Sequence, residues 1–395
     1  MSIPHALRDA AVQWIRTSDA LTVLAERLSA VDILALDSES DSLHHFPERV
    51  CLVQVAIPSG EVFLIDPLSL GRLDALAPLM ANSSIVKVFH GAAYDLASFG
   101  RDFGFRVAGL FDTMVAAQFL GMRELGLNAL VHQLLGVTAV PSRQKDDWAA
   151  RPLMPAQERY AAEDVCHSIA LYAILRDRLT VLGRESWVAE ECAALEETPA
   201  ALRVFDPDDA FALKGARQLD VRGLAILREL FVCREAWAHA AGRPPFKVLG
   251  GDLLVRLAAA RPARIEELSA FSGCTPRVCQ RYGAGIVAAI GRGLATPDAA
   301  LPVLRGPRKP KPPPQVQRHT EALLVWRTQA AERYGLDPGL LLPRRLIEAI
   351  AAAAPLNVGA LSQLEGIRQW RVTTFGPELL EVLRKTETDA KRGMR

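Results

Sequence analysis

No apolar run in this sequence approaches the ~18 residues that a membrane-spanning helix needs. The opening MSIPHALRDAAVQWIR lacks the uninterrupted apolar core of a signal peptide. We therefore expect a cytoplasmic protein with no membrane partner. A CxxC pair is also missing: the six cysteines are scattered, and the closest two, Cys274 and Cys279, have no histidines nearby. That argues against zinc and for reduced, structural thiols. No GxSxG elbow, Walker A loop or HExxH pair occurs, which removes the usual hydrolase, NTPase and zincin chemistries. GAGIVA at Gly283 imitates a dinucleotide fingerprint, but no strand precedes it, so no nucleotide cofactor is expected.

What is present is unevenly distributed. The net charge is +1, yet residues 1–200 hold 16 Lys and Arg against 26 Asp and Glu, and residues 201–395 hold 30 against 19. An acidic front half suits cations, and a basic rear half suits a polyanion. At 395 residues the chain is long enough for two or three cores.

The first ~200 residues alternate strand and helix signals. Thr17 to Leu28 is amphipathic, and a strand from Ile33 to Asp37 follows. CLVQVAI and EVFLID flank the turn PSG as a hairpin. Next come a helix near Gly71 to Met80, the strand IVKVFH, a helix from Ala92 and a mostly helical remainder. Antiparallel strands leading into strand–helix units predict a mixed sheet, hence an α/β domain.

Strand signals vanish in the rear half, where an internal repeat takes over. Arg234, Pro245, Leu249, Leu253, Pro262, Leu268, Gly273 and Gly283 recur as Arg327, Pro338, Leu342, Leu346, Pro355, Leu361, Gly366 and Gly376, always 93 residues later. Two copies of one small all-α domain are the simplest account. Between them, PVLRGPRKPKPPPQVQR has five basic residues and no acid, which reads as a stiff, positively charged linker. The expected domains are 1–205, 206–298 and 318–395, with 299–317 the linker.

The strand Ile33–Asp37 runs into Asp37 and Glu39, two carboxylates on the same side of one strand. Asp95 follows IVKVFH on the opening turns of a helix, and a parallel neighbour would bring it near Asp37. ERYAAEDVCHSIALYAIL reads as one long helix with Tyr160 and Asp164 on one face. Four carboxylates gathered together repel by about 4 kcal/mol per pair at ~4 Å and an effective dielectric of 20. A divalent ion relieves this, and all-oxygen donors favour Mg2+ or Mn2+.

The strings LALDSESDSLHHF, VFHGAAYDLASF, FDTMVAAQFLG and SRQKDDWAARPLMPAQERYAAEDV, in this order, resemble the ribonuclease D family, 3'-to-5' exonucleases of the DEDD superfamily. The rear repeats resemble HRDC domains, small helical nucleic-acid-binding modules. The resemblance implies a ribonuclease H-like mixed-sheet exonuclease domain followed by two all-α HRDC domains. It assigns Asp37, Glu39, Asp95 and Asp164 as ligands of two divalent ions and Tyr160 as the residue that orients the attacking water. It also implies an RNA substrate, with precursor tRNA 3' ends the class, and nucleoside 5'-monophosphate products. Ser38 and Ser40 depart from the commoner Thr and Phe of the first motif, which bears on how the terminal base is held.

Around these residues, Asp112 reads as a helix N-cap, His90 as ordering the turn before Asp95, and Trp148 and Arg151 as packing their loop against the sheet. His44 and His45 are candidates to line the substrate groove, and Arg143, Gln144 and Lys145 to contact phosphates; an ordinary loop and a solvated charge run explain them equally well. A monomer is expected, since the duplication reduces the need for a dimer. The alternatives are a DNA exonuclease, because the acids do not read the sugar, and a non-catalytic HRDC binding protein. Deleting residues 210–395 is expected to weaken nucleic-acid binding more than chemistry on a short oligonucleotide.

Overall fold

The computed structural model describes residues 12–198, 205–302 and 311–393, with side chains to residue 388. Much of the expected linker, 303–310, lies outside the described residues, as does the junction at 199–204. The described chain divides into two compact units. One comprises 12–39, 50–198 and 311–393; the other comprises 40–49 and 205–302.

The first unit is built on a six-stranded sheet: β1 (Val12–Ile15), β2 (Ile33–Ser40), β3 (Val50–Ala56), β4 (Val62–Ile65), β5 (Val86–Phe89) and β6 (Leu110–Asp112). Their spatial order is β1-β4-β3-β2-β5-β6. The sheet is mixed as expected: β3 and β4 form the antiparallel hairpin, whereas β1 with β4, β2 with β5 and β5 with β6 are parallel. Sequence reading missed β1 and β6, which at four and three residues are too short to show alternation. In place of the helix expected at Gly71–Met80 the chain has, in order, a separate short helix Pro67–Leu70 ahead of that span, a 3-10 turn Asp74–Leu76 and the short helix Ala77–Ala81. Gly71 lies at φ +70 just after the first of these, where it ends the helix.

Both sheet faces are covered, so β3 is buried at every residue. Val53 and Val55 join a core with Phe119, Leu171, Leu175 and Trp187. Leu52 and Ala56 join a second core with Trp148, Tyr160 and Val165. The single long helix expected after Pro155 is two, Pro155–Cys166 and Ser168–Leu182, separated at His167.

The repeat is reproduced element by element at the same offset. Val221–Ala241, Pro245–Val248, Gly251–Ala260 and Pro276–Ala295 correspond to Pro314–Tyr334, Pro338–Leu341, Arg344–Ala353 and Gln369–Gly393. Even the described non-glycine residues with positive φ, Arg261 and Ala354, are 93 apart.

The second copy belongs to the same unit as the sheet, and its Leu323, Trp326, Trp370 and Phe375 share the core of Phe119 and Trp187. Trp187 stacks on Trp370 at 4.5 Å and 18°. Glu191 accepts from Arg371 Nη1 at 2.7 Å, Trp370 Nε1 at 3.1 Å and Arg368 Nε at 3.3 Å. The buried Arg184 donates to two backbone carbonyls, Phe119 O and Tyr334 O, each at 2.7 Å. Backbones also touch: a Cβ on Gly121 would lie 2.2 Å from Gly335 O. The other unit has its own core around Leu227, Leu230, Leu254 and Ile286, with Phe46 from the 40–49 loop packed against it.

Candidate active site

Asp37 and Glu39 stand at the end of β2, Asp37 half-buried and Glu39 buried. Asp164 comes from the helix Pro155–Cys166, which begins on Pro155, a residue suited to the first helical turn. Carboxylate oxygens of Asp37, Glu39 and Asp164 all lie within 4.8 Å of one another. The fourth predicted acid, Asp95, stands outside this trio. It is buried in the first turn of the helix Ala93–Phe103, where a carboxylate is favoured by the exposed amides. Ser38 Oγ donates to Asp95 Oδ1 at 2.5 Å, so the serine that departs from the common motif is what joins Asp95 to the β2 end.

Asp112 explains how Asp95 is delivered. Its carboxylate caps the helix Thr113–Phe119, accepting from Met114 N at 2.8 Å and Val115 N at 3.4 Å. It also accepts from Gly91 N at 2.9 Å and Ala92 N at 2.8 Å. One buried side chain therefore fixes the turn that launches the Asp95 helix. Gly91 is held at φ +73, and a Cβ there would meet Met114 Cε at 2.5 Å. His90 Nδ1 lies 2.9 Å from Thr113 Oγ1 and orders the same turn.

The electrostatics of the trio are strained. Burial, reinforced by Asp164, pushes Asp37 up to about 7. Burial, with Asp37 and then Asp164 beside it, pushes Glu39 up to about 10. Asp164 rises to about 7 through burial, opposed by a hydrogen bond from Tyr160. Asp95 is also raised, by burial and then Asp37. The Tyr160 phenol is held above its ordinary value by burial and by Asp164. It remains a hydrogen-bond donor and is no free base at neutral pH. Burial and mutual repulsion oppose ionisation of all four carboxylates, and their donor set is all oxygen. Both facts fit a hard divalent cation.

A cavity of about 330 Å3 opens on this cluster, lined among others by Asp37, His90, Gln144, Tyr160 and Asp164. Of the weaker candidates, Gln144 lines it, and Arg143 pairs with Asp146 at 3.7 Å. Lys145 is exposed on the same loop. His44 and His45 belong to the other unit, their amides bonded to Asp41 O. Arg151 anchors the loop as expected: it meets Asp66 through Nε and Nη2 at 2.9 Å and donates to Cys51 O and Trp148 O at 2.7 Å. Trp148 is fully buried against the sheet. Sequence reasoning missed the Ser38 link and Asp146, a fifth acid whose charge helps raise Glu39. Asp146 lay inside a recognised string, but only folding shows which way its loop turns.

Comparison with known proteins agrees with this arrangement. Residues 12–180 match the 3'-5' exonuclease family, and residues 223–290 and 317–383 each match the HRDC domain. Ribonuclease D of Gluconacetobacter diazotrophicus is 34% identical, the match covering 93% of this chain and 91% of that one. Ribonuclease D of Pseudomonas paraeruginosa is 32% identical, over 94% and 97%. The crystal structure of Escherichia coli RNase D, described as an exoribonuclease involved in structured RNA processing, superposes with TM-score 0.71 at 27% identity over 95% and 99%. With the acidic cluster at the sheet end and two HRDC copies following in the sequence, the chain belongs to the ribonuclease D family of divalent-metal-dependent 3'-to-5' exoribonucleases.

Proposed function

We propose that this exoribonuclease trims the 3' ends of structured RNA, precursor tRNA being the substrate class, by a two-metal-ion route in the cytoplasm as a monomer. The observation that carries the reading is the meeting of Asp37, Glu39 and Asp164 within 4.8 Å. Those three would hold one Mg2+ or Mn2+ ion, and Asp37 with Asp95 the other. Bound there, the ions supply an activated water and neutralise charge on the scissile phosphate.

The chain's own groups do the rest. Asp164 holds the Tyr160 hydroxyl, and Tyr160 orients the incoming water as a hydrogen-bond partner. Ser38 keeps the Asp95 carboxylate turned toward β2. Gln144, on the cavity wall, is placed to meet the terminal nucleotide, with Arg143 and Lys145 on the same loop as phosphate contacts. His44 and His45 remain further candidates to contact the RNA.

Nucleotide release from a 3'-tailed RNA and a matched DNA, in Mg2+ and in Mn2+, tests this. We expect 5'-monophosphates from RNA, lost in Asp37→Ala while RNA binding persists. Equal turnover of DNA would favour the DNA exonuclease, and binding without release would favour a non-catalytic binding protein.

A further inference from the structure

The 93-residue repeat allows the two HRDC copies to be compared position by position, and they have diverged on one face. In the second copy that face is occupied. Leu336 and Trp370 are buried in the core shared with Phe119 and Trp187, and Leu340 packs against it. Gly339, Leu340, Arg368 and Arg371 line one cavity with Gln118 and Glu191. Arg371 ties the face together by donating to Leu340 O at 2.8 Å and Leu341 O at 2.9 Å.

The same positions in the first copy are different in kind. Leu336, Gly339, Leu340 and Trp370 correspond to Arg243, Phe246, Lys247 and Arg277. The backbone is the same: Gly242 and Gly335 both end their helices at positive φ, and the short helices Pro245–Val248 and Pro338–Leu341 coincide at the offset. All four first-copy residues are exposed, Phe246 at 53%. Among the described residues, no carboxylate pairs with Arg243, Lys247 or Arg277. Arg222, Arg228, Arg256, Arg261, Arg264 and Arg292 of the same copy each have an acidic partner. Lys214, Arg217 and Arg281 are exposed without one among the described residues, so what sets Arg243, Lys247 and Arg277 apart is that they stand where the second copy has its docked apolar residues.

We infer that this face of the first copy is an RNA-binding surface, with Arg243, Lys247 and Arg277 contacting phosphates and Phe246 offering a ring for a base to stack on. The second copy has given up that role to become part of the catalytic unit. A face built to dock on protein would keep the apolar residues of its twin. This one has replaced three of them with unpaired cations around an exposed aromatic, the chemistry of single-strand and loop recognition. The inference rests on the exoribonuclease reading above and names where the body of its substrate is held.

The test compares the full-length wild type with Arg243→Gln/Lys247→Gln/Arg277→Gln. An equal number of exposed second-copy cations, Arg318→Gln/Arg384→Gln/Lys385→Gln, is the control. Binding of a 3'-tailed RNA hairpin is measured by fluorescence anisotropy across a salt series, and KM on the hairpin is referred to KM on a trinucleotide. We expect the face variant to lose about tenfold or more in hairpin affinity. Its log–log salt slope should fall by about 2–3, as for the loss of three phosphate contacts, and its relative KM should rise in step. The control should match wild type. Phe246→Ala should weaken binding without changing the slope.

Unchanged affinity and slope in the face variant, or equal losses in the control, would overturn the inference. Should the triple variant misfold by circular dichroism, Arg277→Gln and Phe246→Ala singly carry the same comparison. Binding is read independently of turnover, so an inactive wild type would count against the exoribonuclease reading alone.

Discussion

Glu39 carries a heavy electrostatic load in the acidic trio, pushed up to about 10 by burial and then by Asp37. Asp37 and Asp164 follow at about 7. These are folded values raised above the unfolded ones. The stability they contribute is therefore complete at low pH and is lost as pH climbs through about 4 to 7, further for Glu39. A cation that binds the ionised carboxylates restores it. Mn2+ should accordingly raise Tm more at pH 7.5 than at pH 5.5, read by differential scanning fluorimetry, and the difference should shrink in Glu39→Gln. Tyr160 separates orientation from ion binding. Tyr160→Phe should cut kcat by about 10- to 100-fold, the usual cost of losing a partner to a metal-site ligand, while the Mn2+-induced Tm shift stays near that of wild type. The acids were legible in the sequence because strand alternation, a helix start and an i, i+4 spacing each fix a direction. Ser38 and Asp146 were not, because each acts through a neighbour from another part of the chain.

Among the elements, the turn stitched by Asp112 carries the greatest local consequence. Its carboxylate serves four backbone amides across two helix starts. Asp112→Ala should cost about 3 kcal/mol in urea unfolding, from a lost cap and amides left unsatisfied in a buried turn. Activity should fall further than stability explains, since Asp95 rides on the helix that follows. N-capping was the sequence expectation for this residue, and its second pair of amides is what the expectation lacked. The hairpin was equally legible, a turn between two apolar runs. The short strands β1 and β6 were not, because pairing with β4 and β5 supplies the order that three or four residues do not encode alone. The break at His167 escaped for a related reason: residues on both sides suit a helix.

At the scale of the whole molecule, the repeat was readable from a constant offset, but the unequal fate of its copies was not. Docking depends on Trp187 meeting Trp370 and Glu191 meeting Arg371, contacts about 180 residues apart. This alters the outcome expected of a rear-half deletion. Removing residues 311–395 should lower the Tm of what remains and reduce turnover even on a trinucleotide, because it strips the cover from Trp187 and Phe119. Glu191→Ala should show the same effect more mildly, leaving the Arg371 guanidinium, 5% exposed, without its partner. The cost of such a broken buried pair is about 3–5 kcal/mol, and a rise in Trp fluorescence at low urea would report the undocking. Arg184 gives that interface an asymmetric tolerance to change. Both of its acceptors are main-chain oxygens, present whatever side chain stands at 119 or 334. Drift at those two positions leaves the bond's acceptors in place, and only a change at 184 itself removes the donor. Within the family, covariation analysis should therefore find no coupling from these two backbone bonds, and any signal between 184 and 334 would come instead from the guanidinium over the Tyr334 ring at 5.9 Å.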